Sequence, residues 1–113
     1  FLLGSLYDRW TDPLTGEHHD TFSIISTPAN PLMEVIHNVK KRMPLILDDD
    51  AADRWLNPAT SPDELKTLIK PYDENKMDAY TISKAAGNPN FDRNIPEILN
   101  PVKYSELDTP TLF

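Results

Sequence analysis

His37 is the residue whose type and position best fit acid–base chemistry. An imidazole titrates near neutral pH, so it can take up or release a proton under ordinary conditions. The neighbouring apolar residues recur at helical spacing, and at about 100° per residue His37 lies well away from the centre of that apolar face. Helical spacing alone favours an ordinary surface histidine over an acid–base group. Glu34 would raise its pKa and Lys41 would lower it.

Lys40, Lys41 and Arg42 form a basic cluster shortly after this histidine. The chain as a whole is acidic, with 18 Asp+Glu against 11 Lys+Arg and a formal charge of −7. A freestanding nucleic-acid binder usually has the opposite balance, so any DNA binding must use a local patch or a further partner. The cluster therefore has two interpretations: contacts to a phosphate backbone, or cations that complement a helix C-terminus.

Two acidic or histidine-containing runs have the residue types of metal ligands. Glu17-His18-His19-Asp20 lacks a further ligand at a suitable spacing, and neighbouring histidines in a loop rarely reach one ion. The three aspartates at residues 48–50 are better explained as the first turn of a helix, where carboxylates complement the helix dipole. The chain has no Cys, so it holds neither a disulfide nor a thiolate nucleophile. We expect no metal and no cofactor.

The elements that would position these residues follow from local patterns. Residues 2–10 and 21–27 are predicted to be the arms of a hairpin with a loop over 11–20, and the apolar run 2–7 is predicted to be a strand buried on both faces. This run resembles a strand cut from the middle of a domain, so we expect the chain to be a piece of a longer protein.

Asn30 and Pro31 predict a helix start. Its apolar face would be Leu32, Val35, Ile36 and Val39, and it would end before Pro44.

The remaining chain continues as short elements. We expect a buried strand over 45–47, a helix opened by residues 48–50 that contains Trp55, a helix capped by Ser61, and a strand over 77–83. From Gly87 onward, Asn and Pro predict extended loop. No apolar run approaches the roughly 20 residues of a membrane helix.

Several of these segments together resemble the SRAP family, the SOS response-associated peptidases. The segments are Leu3-Gly4-Ser5-Leu6-Tyr7-Asp8, Thr21 to Asn30, Ile36-His37, Arg42-Met43-Pro44-Leu45-Ile46-Leu47, Asp53-Arg54-Trp55-Leu56 and Ala79-Tyr80-Thr81-Ile82-Ser83. The chain differs from the usual pattern in having four residues, 38–41, between the histidine and the arginine. The family's Cys nucleophile and its Asn and Glu partners lie in an earlier segment, so residues 1–113 resemble the C-terminal half of a single SRAP domain.

The resemblance implies an α+β fold with a curved, barrel-like, mostly antiparallel sheet and short flanking helices. It implies a DNA-repair enzyme that binds single-stranded DNA and crosslinks to abasic sites through an N-terminal Cys, with a peptidase activity that removes the initiator Met. His37 would be the acid–base group, and Ser26, Thr27, Lys40, Lys41 and Arg42 would line the site or contact phosphates.

The expected partners are abasic single-stranded DNA and the N-terminal half of the same domain, in a cytoplasmic protein that associates with the nucleoid when DNA is damaged. No membrane partner is expected. This half alone would be inactive. The alternative is a non-catalytic interaction module that keeps the fold without the nucleophile.

Overall fold

Six short strands in the computed structural model, which describes residues 1–36 and 39–105, form three antiparallel pairs. Strand β1 (Leu2–Leu3) pairs with β6 (Ile46–Leu47), β2 (Ser5–Thr11) with β3 (His18–Ile24), and β4 (Ser26–Pro28) with β5 (Arg42–Pro44). Three helices accompany them: α1 (Pro31–Ile36), α2 (Asp49–Leu56) and α3 (Pro62–Leu68). The protein is therefore an α+β fold with antiparallel strands and short helices, as predicted, and the described strands do not close into a barrel.

The three strand pairs meet at the residues where each segment stops pairing with one strand and begins pairing with another. Gly4 separates β1 from β2, Ile25 separates β3 from β4, and Leu45 separates β5 from β6. The backbone N–H of Gly4 donates to Leu45 O (2.8 Å), that of Leu45 to Ile25 O (2.8 Å), and that of Ile25 to Gly4 O (3.0 Å). These bonds form a closed ring, which we call the backbone ring, and they satisfy polar groups that a change of partner would otherwise leave unpaired.

The apolar core lies beside this ring. Leu45 is fully buried and packs with Leu47 and Ala52, and Ile25 and Trp55 cover them. The indole N–H of Trp55 donates to Ser5 O at 3.2 Å, which gives the partly buried ring a polar partner. Trp55 therefore packs against the core.

The predicted hairpin is confirmed over Ser5–Thr11 and His18–Ile24, with a shorter loop, whereas residues 2–3 and 26–27 of the predicted arms pair with other strands. The β2–β3 ladder extends to the Thr11↔His18 pair, so the connection covers residues 12–17 rather than 11–20. Asp12 accepts from the backbone of Leu14 (2.7 Å), and Gly16 has φ +75°, which a residue without a Cβ adopts readily.

Two other strand predictions need correction. The run 2–7 is not buried on both faces: Leu6 and Tyr7 are exposed, and only Gly4 within it is buried. Residues 77–83 contain no strand. The backbone oxygen of Thr81 accepts from Val102 N at 2.8 Å. This one bond is not continued as a ladder of paired residues, so no strand forms.

The helix starts agree with the sequence. Asp48 caps α2 by accepting from Ala51 N at 3.0 Å, and Ser61 caps α3 by accepting from Glu64 N at 3.2 Å. No helix among residues 1–36 and 39–105 is long and apolar enough to cross a bilayer.

The chain divides into two compact units, Phe1–Lys76 and Met77–Phe113, the second described as far as residue 105. The first holds all the described strands and α-helices. The second holds short 3-10 turns at Lys84–Gly87 and Pro96–Leu99. The Tyr104 hydroxyl there donates to Ile82 O and accepts from Lys84 N, both at 3.0 Å. As far as residue 105, this extended, turn-rich chain matches the prediction for the region after Gly87.

Candidate functional site

Strands β4 and β5 and the loop between them contain the site residues singled out by the sequence. The two strands pair in the register Ser26↔Pro44, Thr27↔Met43 and Pro28↔Arg42. Just beyond them, Ala29 N donates to Lys41 O at 2.9 Å. This bond joins the first and last residues of the segment between the two strands, and we refer to residues 29–41 as the 29–41 loop. Helix α1 forms its first half.

Asn30 holds the start of this loop. Its Oδ1 accepts from Met33 N at 2.9 Å, the N-cap predicted from the sequence, and its backbone oxygen accepts from Glu34 N at 2.9 Å. Its Nδ2 donates to Tyr72 O at 2.7 Å, 42 residues away in sequence. Asn30 is only 5% exposed. The same amide therefore caps α1 and attaches it to the segment after α3.

The return of the loop differs from the prediction. Instead of continuing α1, Val39 and Lys40 form a turn, and the chain then enters β5. Val39 is 86% exposed, so it is not part of a buried helical face. The physical reason is the backbone reversal needed for β5 to pair with β4. Lys41 takes φ +48° at this point, a left-handed conformation that is costly for a residue with a Cβ.

His37 and Asn38 lie outside the described residues. The expected acid–base role of His37 is therefore a prediction that the structure leaves untested. Its two expected electrostatic neighbours are described, and they contact each other: Lys41 Nζ lies 3.3 Å from Glu34 Oε2. Both side chains are largely exposed, so the pair contributes little stability.

The expected DNA contacts lie together on β4, β5 and the returning arm of the loop. Ser26, Lys40, Lys41 and Arg42 are exposed. Thr27 is 2% exposed, and its hydroxyl donates to Pro28 O at 3.1 Å. Four of the five side chains thus reach the surface of this chain, while the hydroxyl of Thr27 is used internally.

A polar cluster on the β2–β3 hairpin is a feature that the sequence analysis missed. Arg9 Nε lies 2.8 Å from Asp20 Oδ1, and the Tyr7 hydroxyl donates to the same oxygen at 3.0 Å. The Arg9 guanidinium, followed by the Tyr7 hydroxyl, holds the pKa of Asp20 below its usual range. Residues 7, 9 and 20 share one face of the ladder because side chains alternate along paired strands. That alternation is the signal that could have identified the cluster.

The two runs that have the residue types of metal ligands, residues 17–20 and 48–50, make contacts within the protein instead. Glu17 and His19 approach each other only to 3.8 Å. Asp48 Oδ1 caps α2, its Oδ2 lies 3.5 Å from Lys76 Nζ, and the bond from Ala51 N is the main cause that lowers the pKa of Asp48. Within the described ranges no group of three or more His, Cys, Asp or Glu side chains is arranged to hold a metal ion.

A cavity of about 600 Å³ opens beside α2 and the segment that holds Asn30. Its polar lining has both signs of charge, from Asp48, Asp50, Arg54, Lys70, Asp73 and Lys76. Tyr72 also lines it, and Lys76 Nζ lies 5.9 Å from the centre of that ring. The mixed charges favour no single class of ligand.

Comparisons of the sequence with a family model and with individual proteins indicate the same family. Residues 1–89 match the family described as SOS response associated peptidase (SRAP). The chain is 42% identical over 100 residues to the abasic site processing protein YoqW of Bacillus subtilis, covering 88% of this chain and 42% of that protein. It is 38% identical over 71 residues to the abasic site processing protein HMCES of Gallus gallus, covering 61% of this chain and 20% of that protein.

A solved structure has the same fold. A crystal structure of a protein from Bacteroides thetaiotaomicron superposes with a TM-score of 0.78 at 44% identity, covering 89% of this chain and 43% of that one. The chain thus spans less than half the length of these relatives. The resemblance found in the sequence is confirmed by the family match over most of the chain, and the chain belongs to the SRAP family.

Proposed function

We propose that the complete protein processes abasic sites in single-stranded DNA and that this chain supplies the C-terminal half of its SRAP domain. The observation that carries the proposal is the family match over residues 1–89. It is supported by relatives such as YoqW, which are themselves named abasic site processing proteins. The match extends past residue 76, where the first compact unit ends, which supports a single domain.

The proposed reaction uses a Cys at the mature N-terminus, outside these residues. Its α-amine condenses with the ring-opened aldehyde of the abasic sugar and water leaves, giving an imine. The thiol then adds across the C=N bond, with its proton passing to nitrogen, and a thiazolidine ring closes. The same Cys would expose itself beforehand by removing the initiator Met. No cofactor takes part.

Within this chain, His37 is the proposed acid–base group. A group that titrates near neutrality is suited to opening the sugar and to moving the protons of the condensation. Lys40, Lys41 and Arg42, with Ser26, are the proposed contacts to the DNA backbone. Their support is that all four are exposed on one strand pair and its adjoining turn. The buried hydroxyl of Thr27 is left out of this contact surface.

The proposed partner of the β2–β3 hairpin is the N-terminal half of the domain. Leu6, Tyr7, Trp10 and Phe22 are each at least half exposed in this chain, and they point to both faces of the hairpin. An isolated two-stranded hairpin is marginally stable in water. Covering these faces by the additional chain that the longer relatives contain would stabilise it.

The experiment is a crosslinking assay with the complete gene product. A single-stranded oligonucleotide with one abasic site should give a heat-stable protein–DNA adduct. The matched control is the same oligonucleotide with a tetrahydrofuran residue, which has the abasic shape but no aldehyde and should give none. Intact-mass measurement should show loss of the initiator Met.

The alternative function is a non-catalytic interaction module. It predicts DNA binding or protein binding without any covalent adduct. Absence of the adduct with properly folded protein would favour this alternative. For the active protein we expect a cytoplasmic location, with recruitment to the nucleoid after DNA damage.

A further inference from the structure

We propose that Glu34 is a specificity-determining residue that weakens non-covalent binding of the protein to undamaged single-stranded DNA. Its carboxylate accepts a hydrogen bond from the ammonium of Lys41 at 3.3 Å, and Lys41 is one of the proposed contacts to the DNA backbone. A phosphate that binds Lys41 therefore competes with this carboxylate. The inference rests on the proposed function, since it concerns the availability of one of the phosphate contacts named there.

The backbone places both partners of this ion pair. Lys41 takes φ +48°, a strained conformation for a residue with a Cβ, and its backbone oxygen is fixed by the bond from Ala29 N. Glu34 lies on α1, where its backbone N–H donates to Asn30 O at 2.9 Å. Because the side chain of Asn30 also donates to Tyr72 O, the turn of α1 that carries Glu34 is attached to the rest of the unit.

The ion pair is weak enough for a phosphate to replace it. The side chains of Lys41 and Glu34 are 61% and 46% exposed, and exposed pairs of this kind contribute little free energy. The ammonium is therefore accessible from solvent while the carboxylate competes for it. The neighbouring Lys40 has no carboxylate partner within residues 1–36 and 39–105. We therefore expect Glu34 to compete for Lys41 and to leave Lys40 available.

The competition affects both the affinity for DNA and its salt dependence. When a phosphate takes the place of the Glu34 carboxylate, the released carboxylate attracts a cation from solution and offsets the counterion that the DNA gives up. Lys41 then adds less to binding than an unpaired lysine would. Weak non-covalent binding favours release from undamaged DNA, whereas the covalent bond would retain the protein at an abasic site.

The test measures equilibrium binding of the complete gene product to an unmodified single-stranded oligonucleotide, which has no aldehyde and forms no adduct. Fluorescence anisotropy is recorded at several salt concentrations and about pH 8, where a histidine with an ordinary pKa of about 6.5 is neutral. Glu34→Gln should bind about 2- to 5-fold more tightly than wild type, and its slope of log K against log salt should be steeper by up to about 0.7.

Glu64→Gln is the matched control for the loss of one negative charge. Glu64 pairs with Arg54 at 3.4 Å, and the two side chains are 44% and 51% exposed, close to the values for Glu34 and Lys41. Since Arg54 is not among the proposed DNA contacts, this variant should bind the oligonucleotide as wild type does. A gain equal to that of Glu34→Gln would overturn the inference.

Double variants separate competition for Lys41 from a general effect of charge. With Lys41→Ala, the substitution Glu34→Gln should lose most of its effect, because the two residues act through one contact. With Lys40→Ala, the full increase in affinity should remain. An increase of the same size in both backgrounds would overturn the inference.

Two further outcomes would also overturn it. Unchanged or weaker binding by Glu34→Gln would mean that its carboxylate does not compete with phosphate, and would leave the proposed function standing. If Lys41→Ala lowers the affinity of neither wild type nor Glu34→Gln, then Lys41 is not a DNA contact and the inference fails with it. Failure of the proposed function is a separate result, the absence of a covalent adduct with the abasic oligonucleotide.

Discussion

The side chain of Leu45 occupies the space where a Cβ on residue 4 would lie. A Cβ built on Gly4 would be 2.5 Å from Leu45 Cδ2 and 2.8 Å from Leu45 Cγ, and the backbone N–H of Gly4 donates to Leu45 O. Leu45 is fully buried among core residues, so its side chain has little room to withdraw. Glycine is therefore required at position 4 by close approach.

Gly4→Ala in the complete gene product should destabilise it by about 1–3 kcal/mol, because the added methyl overpacks the core. Urea unfolding would measure the loss. Gly87→Ala is the control, since a Cβ there meets nothing within 4 Å, and it should stay within about 0.5 kcal/mol of wild type. Equal stability of both variants would contradict the packing argument.

Asp48 should make stability depend on pH in the acid range. Its pKa is lowered in the folded protein, mainly by the bond from Ala51 N. The ionised carboxylate therefore stabilises the folded state above the unfolded value of about 3.9, and the contribution is lost as the pH falls through the lower folded pKa. Asp48→Asn keeps the capping oxygen and removes the charge. The difference in urea midpoint between wild type and this variant should be present at about pH 7 and shrink below about pH 4. A difference that stays constant with pH would contradict the assignment.

Lys40 and Lys41 should account for part of the salt dependence of DNA binding. Replacing both with Ala should weaken binding to single-stranded DNA and reduce the slope of log K against log salt by about 0.7 for each phosphate that is no longer neutralised. Fluorescence anisotropy at several salt concentrations would measure it. Lys66→Ala with Lys70→Ala removes the same charge from elsewhere in the chain and should leave the slope unchanged. An equal reduction of the slope in both pairs would mean that only the overall charge matters.

His37→Ala should slow crosslinking by about 10²–10⁴-fold if proton transfer limits the rate. His37→Gln should not restore it, because an amide forms hydrogen bonds but does not titrate. The rate should also lose an inflection near neutral pH in both variants. A single-turnover time course from acid to mildly alkaline pH measures rate and inflection together, and thermal melts of each variant check folding. Wild-type rates and pH profile would identify His37 as an ordinary surface residue.

Local signals in the sequence predict the local features of the fold. Asn30, Asp48 and Ser61 are all recognisable as helix starts, because a capping side chain bonds to backbone only two or three residues away. The hairpin is also predictable, although its ladder runs further than the turn residues suggest.

Local sequence patterns do not predict which residues make contact when they are far apart along the chain. Val39 matches helical spacing, yet the pairing of β5 with β4 ends the helix before it. The alternation around Thr81 predicts a strand, but pairing requires a neighbour that spacing does not reveal. The bond from Asn30 to Tyr72 spans 42 residues, so nothing local in the sequence indicates it.

The backbone ring also has a consequence for how the protein folds. Two of its bonds join residues about twenty apart along the chain, and the bond from Gly4 to Leu45 joins residues about forty apart, so each bond closes a loop whose entropy is lost before the bond stabilises anything. Each of the three segments donates a backbone hydrogen bond to one of the others and accepts one from the third. The hydrogen bonds beside the ring are therefore complete in each strand pair only when all three segments are in place. The amide protons of Gly4, Ile25 and Leu45 should therefore exchange with solvent through one shared opening, and this part of the fold should form late and all at once.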